Sequence, residues 1–120
     1  MSVPVALEAL EERLAQYGPH AHLVTVSDAA LPHVVSVVAR LEGGALRTGA
    51  GRTTAANVAA NPGVTLLWAA PPGEDYCLIV DGAAEVDGDQ LAVRPSRAVL
   101  HRLATAPGEG PSCIDVLPRD

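Results

Sequence analysis

The residues with the best claim to chemistry lie in one run, Leu46-Arg47-Thr48-Gly49-Ala50-Gly51-Arg52-Thr53-Thr54-Ala55-Ala56-Asn57-Val58-Ala59-Ala60-Asn61-Pro62. An apolar-alternating stretch ends in two glycines. An arginine and two hydroxyls follow, then a small alanine-rich helix stopped by Asn61-Pro62. That pattern suits an anion. The first turn of a helix leaves backbone N–H groups unpaired and carries partial positive charge, so a phosphate there meets donors, a favourable dipole and Arg52. Without a ligand, the same residues make a strand-to-helix turn capped by Thr53 or Thr54, with Arg52 in solvent. The local sequence leaves both readings open.

Other reactive side chains form weaker patterns. His20 and His22 share one face of a strand, and His33 follows a proline at a strand start, but no Asp or Glu completes a ligand set, so no metal site is expected. The histidines at 20 and 22 read as exposed groups near a barrel end, and His101 as a hydrogen-bonded structural residue. Cys77 and Cys113 match no metal or redox spacing and read as buried thiols. No serine sits in a glycine-rich elbow, and no Ser/His/Asp order stands out. Trp68 reads as buried, against the N-terminal helix or in an interface between subunits.

Composition excludes several functions. The eight basic residues are all Arg and scattered, the net charge is −6, and aromatic rings come only from Tyr17, Trp68 and Tyr76. Nucleic-acid binding needs clustered positive charge or stacking platforms, and neither is present. No apolar run approaches a membrane span, and there is no basic segment leading an apolar core at the N-terminus, so a cytoplasmic protein is expected. With 120 residues, 48% of them hydrophobic, one domain over 1–120 can bury about two-thirds of its unfolded surface.

The elements that must position the phosphate-like run are mostly strands. Leu7, Leu10, Leu14 and Tyr17 predict an amphipathic helix over 4–17, ended by Gly18-Pro19. Strands are expected at 21–27, 32–40 and 44–49, three in succession and antiparallel, joined at Ser27-Asp28-Ala29-Ala30 and Leu41-Glu42-Gly43-Gly44. A short helix at about 53–60 leads to a strand at 64–68 and a long strand at 76–86, where Gly82 marks a bulge or a close backbone approach. Residues 87–89 turn the chain and 90–93 form a short strand. Residues 97–101 are extended or one helical turn, 104–111 a loop, and 113–117 a closing strand. Hairpin joins rule out a doubly wound parallel sheet. The economical architecture is mainly β, a small closed or half-closed antiparallel barrel with few helices.

The order of these pieces resembles the pyridoxamine 5′-phosphate oxidase-like, FMN-binding split barrels, from about Ala21 to Val86. Its markers are Leu23-Val24-Thr25-Val26, Pro32-His33-Val34-Val35-Ser36-Val37, Thr48-Gly49 leading into the helix, Asn61-Pro62-Gly63-Val64-Thr65-Leu66-Leu67, and Leu78-Ile79-Val80-Asp81-Gly82-Ala83-Ala84-Glu85. The resemblance implies a six-stranded split barrel with an N-terminal helix and a short helix after the third strand. It further implies a homodimer with FMN in grooves between subunits, and an FMN-dependent oxidoreductase acting on a small molecule. Val35, Ser36 and Val37 would then flank the flavin ring, and Arg47, Thr48, Arg52, Thr53 and Thr54 would hold the phosphate. Aligned on Asn61-Pro62, the family's Ser-Arg-Lys grip falls on Arg52-Thr53-Thr54, one positive charge short; Arg47 is the residue that could supply it. The chain lacks the C-terminal groups of true pyridoxamine phosphate oxidases, so vitamin B6 oxidation is not expected. Short bacterial, actinobacterial-type members suggest a deazaflavin coenzyme as the rival cofactor. A non-catalytic flavin-binding or storage protein, or a barrel with an empty groove, completes the alternatives.

Overall fold

Strands whose apolar residues alternate build the interior wall of the fold. β1 (Ser2–Val5) is exposed except for half-buried Val5, whereas the central strands turn every second residue fully inward. The computed structural model describes residues 2–103; the loop expected at 104–111 and the strand expected at 113–117, with Cys113, lie outside the described residues. After β1 come a short 3-10 turn (Leu7–Ala9), α1 (Leu10–Tyr17), β2 (His20–Val26), β3 (Pro32–Val38), β4 (Arg40–Glu42), β5 (Ala45–Gly49) and α2 (Arg52–Ala60). β6 (Gly63–Trp68), β7 (Cys77–Asp87) and β8 (Gln90–His101) complete the described chain. Leu23, Leu46, Leu66, Trp68, Leu78, Val80, Leu91 and Val93 have no exposed surface. Each such side chain contributes about 1.5–3 kcal/mol through burial.

All strand pairs are antiparallel, in the order β3-β2-β6-β7-β8-β5-β4, with β1 added against β8. Six strands, β2, β3 and β5 to β8, make the split barrel; β1 and β4 are short additions to it. The sheet's two ends, β3 and β4, are consecutive in the chain with only Ala39 between them. The curled sheet therefore brings its last strands to one corner, where Ala39 donates its N–H to the Pro19 carbonyl at 2.8 Å.

Three expectations are corrected. Residues 2–5 are a strand paired with β8, and the helix proper begins only at Leu10. The helical spacing of Leu7, Leu10, Leu14 and Tyr17 was genuine, but Pro4 sits comfortably on an edge strand. The run 32–40 breaks at Ala39, so β3 does not pair with the next strand. Instead β4 and β5 form a hairpin on Gly43-Gly44, with φ of 61° and 83°, the left-handed pair that a tight two-residue turn requires. Finally, residues 90–101 are one strand rather than two pieces. Asp81 pairs with Arg97 and Gly82 with Pro95, which leaves Ser96 as the extra residue of a bulge. A bulge tolerates the proline's missing N–H. Gly82 is required there, because a Cβ would lie 2.5 Å from the Arg94 carbonyl oxygen.

α1 is docked by Leu10 and by Tyr17, whose hydroxyl donates to the Tyr76 carbonyl at 2.7 Å. Burial, and secondarily Glu74, raises the Tyr17 pKa above its ordinary 10.0. The folded chain thus holds this proton more tightly than the unfolded chain. The resulting stability is fully present below about pH 10 and is lost as pH rises through the raised value. Urea midpoints should therefore fall between about pH 9 and pH 11 in the parent, and fall less in Tyr17→Phe. Among the described residues, no helix is long and apolar enough to cross a membrane.

Candidate functional site

β3 is an end strand of the sheet, and its residues alternate. His33, Val35 and Val37 are half-buried, while Val34, Ser36 and Val38 are exposed. α2 faces it from the other side of a gap, tied to β2 by polar contacts. The Asn57 amide donates to the Thr25 hydroxyl at 3.0 Å, and the Asn61 amide donates to the carbonyls of Val26 and Ser27 at 3.2 and 2.8 Å. Asn57 and Thr25 are both buried, so this bond is shielded from water. At the other end of the helix, Ala50 donates its N–H to the Asp89 carbonyl at 3.0 Å and fixes the chain's approach.

The start of α2 is open. The helix begins at Arg52, its cap position is Gly51, and no side chain caps it. Thr53 and Thr54, candidates for the cap, lie inside the first turn. The Ala55 N–H reaches the Gly51 carbonyl at 2.9 Å, so the amides of Arg52, Thr53 and Thr54 precede the first helical bond. The first turn carries no acidic residue to oppose the dipole.

Between these elements lies a cavity of about 590 Å³, within the range of small-ligand sites. Its β3 wall is His33, Val35, Ser36, Val37 and Val38; its opposite wall is Gly49, Gly51, Arg52, Thr53 and Thr54; Arg40, at the start of β4, also lines it. Six of the eight residues singled out in the sequence therefore meet around one space: Val35, Ser36, Val37, Arg52, Thr53 and Thr54.

Arg47 and Thr48 do not line it. The Arg47 guanidinium donates to Asp87 Oδ2 at 2.7 Å, a bond that raises the arginine's pKa further above the usual guanidinium range. Thr48 is buried, and its hydroxyl donates to the Gly49 carbonyl at 2.8 Å. The second cation at the cavity is instead Arg40. Neither Arg40 nor Arg52 has a salt bridge among the described residues, unlike Arg47 and Arg97, which pair with Asp87 and Asp81. Arg40 carried no local signal, since it lies beyond β3 in sequence and only the curl of the sheet brings it to the α2 side. His33 belongs to the Pro32-to-Val37 marker run, but no role at the site follows from its sequence; the structure places it in the cavity lining.

The remaining chemical groups are dispersed. His20 and His22 are exposed on β2, and His101 shares a 3.1 Å hydrogen bond with the Ser2 hydroxyl. Cys77 is a half-buried free thiol. Trp68 is enclosed in the core. Among the described residues, no three His, Cys, Asp or Glu side chains are grouped to hold a metal ion.

No protein-family model matches the chain. In sequence it is 34% identical to Uncharacterized protein Mb0449c of Mycobacterium bovis, over 92% of this chain and 90% of that protein. In structure it is similar to an F420 reductase, with TM-score 0.60 and 23% identity over 80% of this chain and 98% of that one. It is also similar to a Listeria innocua protein named for pyridoxamine 5′-phosphate oxidase, with TM-score 0.63 and 18% identity over 76% and 97%. An FAD-binding protein of Mycobacterium smegmatis has TM-score 0.63 and 16% identity over 87% and 100%.

Proposed function

We propose that the chain, which shares its split-barrel fold with an F420 reductase and a protein named for pyridoxamine 5′-phosphate oxidase, belongs to the pyridoxamine 5′-phosphate oxidase-like split barrels, and that its β3–α2 cavity binds a flavin-type cofactor, FMN first, in an oxidoreductase acting on a small molecule. One observation carries the reading: a cavity with a strand of small and apolar residues on one side and an uncapped helix start with Arg52 on the other.

The donor set fits a phosphorylated flavin. Arg52, Arg40, the hydroxyls of Thr53 and Thr54 and the first-turn amides supply two positive charges and several donors. A phosphate ester carries about −1.5 to −2. The charge missing from Arg52-Thr53-Thr54 is thus offset by Arg40 rather than Arg47. Val35 and Val37 offer an apolar surface along which a planar ring can lie. When bound, the flavin supplies hydride or electron transfer; the protein's part is to hold it, orient it and exclude water.

The exposed face of β3 supports a homodimer. Val34 is 58% exposed, Val38 48% and neighbouring Leu31 65%, on a strand edge that nothing among the described residues pairs. Such an edge invites a partner. A second copy across it would cover the cavity's open side.

A deazaflavin coenzyme is the second reading, favoured by one feature. Arg40 also borders an adjoining cavity of about 450 Å³ between α1 and β4, lined by Glu11 as well, so a longer tail has space beyond the first site with one cation and one carboxylate beside it. Titrating purified protein with FMN, riboflavin and the deazaflavin coenzyme, followed by absorbance during addition of a nicotinamide donor, tests the function. Binding with turnover supports an oxidoreductase. Binding without turnover supports a carrier, and no binding of any of the three removes the proposal.

A further inference from the structure

His33 lines the same cavity, and its Nδ1 is buried without a hydrogen-bond partner among the described residues. Buried polar atoms in folded proteins are almost always paired. The neighbours offer His33 little. Thr25 lies directly across in β2, where its hydroxyl accepts from Asn57, and no hydrogen bond joins it to His33 Nδ1. Pro32, the preceding residue, has no N–H, and beyond β3 no strand among the described residues continues the sheet.

The run of α2 gives His33 a definite place in the cavity. Asn57 is held at Thr25, the cross-strand partner of His33, and Asn61 is held farther along at Val26 and Ser27. The helix start, five residues before Asn57, therefore lies about 7.5 Å back toward the Val38 end of β3. Anion donors and His33 are thus separated along one groove, with Val35 and Val37 on the strand between His33 and Val38.

We propose that His33 is the residue that selects the ring of the cavity's occupant: a turn of its side chain brings Nδ1 out of burial to hydrogen-bond a polar edge atom, a carbonyl or ring nitrogen, of a planar nitrogen heterocycle whose anionic tail sits at α2. This rests on the flavin-type reading of the cavity and adds to it a ring-selecting contact independent of the phosphate.

The test uses the intact protein with riboflavin and FMN as probes. His33→Ala should weaken both ligands by about tenfold, because the lost bond is to the ring they share. His33→Gln, which keeps a polar group, should recover part of that loss. In the parent protein, the His33 imidazole nitrogen resonances should shift on adding riboflavin, a readout that needs no variant to fold. Unchanged affinity in His33→Ala together with unshifted resonances would overturn the assignment while leaving the flavin reading intact. Resonances that respond to protein dilution instead would give Nδ1 to a second copy of the chain and also overturn it. If the parent binds neither probe, the flavin reading itself fails, and this inference falls with it.

Discussion

Arg52→Ala is expected to weaken FMN binding by about 1.5–3 kcal/mol, roughly 10- to 150-fold, while riboflavin binding hardly changes. The selectivity is the informative part. Arg52 opens α2 at the cavity, has no ion pair among the described residues, and sits with the uncapped amides of the first turn. Its contribution should therefore appear only when the ligand carries a phosphate. Arg40→Ala should act in the same direction on FMN. Both arginines are exposed and screened by solvent, but Arg40 stands on β4, apart from the uncapped amides of α2, so its effect should be smaller. Arg47→Ala should leave FMN affinity unchanged, since its guanidinium is engaged by Asp87 away from the cavity lining. Isothermal titrations of the three variants with both ligands check this ordering. Equal losses for FMN and riboflavin in Arg52→Ala would remove the phosphate from this helix.

The largest effect on stability is expected from Trp68→Ala. Trp68 is the bulkiest fully buried side chain, at the end of β6 where Leu78 of β7 pairs with it. Truncating a buried tryptophan costs about 3–5 kcal/mol, through lost transfer energy and the cavity left behind. In a domain of this size that should lower the midpoint of thermal unfolding by at least about 12 °C. Trp68→Phe should cost far less. It keeps most of the apolar volume and removes an indole N–H that finds no acceptor among the described residues. Near-equal melting for parent and Trp68→Ala would mean that β6 does not anchor the core as described.

Much of this was legible because each signal was local. The alternation in Val64-Thr65-Leu66-Leu67-Trp68 and in the 76–86 run fixes strands and buried faces together, and Gly82 announced its bulge by being a glycine inside a strand. The helix after two glycines, ending at Asn61-Pro62, was likewise visible. What escaped depends on contacts made far along the chain. Residues 2–5 become a strand because β8 offers an edge nearly a hundred residues later, which no local period reveals. Arg94-Pro95-Ser96 looked like a break because the bulge opposite Gly82 exists only once β7 and β8 pair. The cavity divides in the same way. Val35 to Val37 and Arg52 to Thr54 were readable from two segments, but the choice between Arg40 and Arg47 as second cation turned on Asp87, whose partner the sequence does not indicate.

The central claim is that the start of α2 holds the phosphate of a flavin lying along β3. Backbone amide resonances of the parent protein, compared between its FMN and riboflavin complexes, test it most directly, because the two ligands differ only in the phosphate. The account predicts shared changes along Val35, Ser36 and Val37 in both complexes. The difference between the complexes should be concentrated at Gly51, Arg52, Thr53 and Thr54. Differences centred on Arg47 and Thr48, or on any segment away from the first turn of α2, would contradict it.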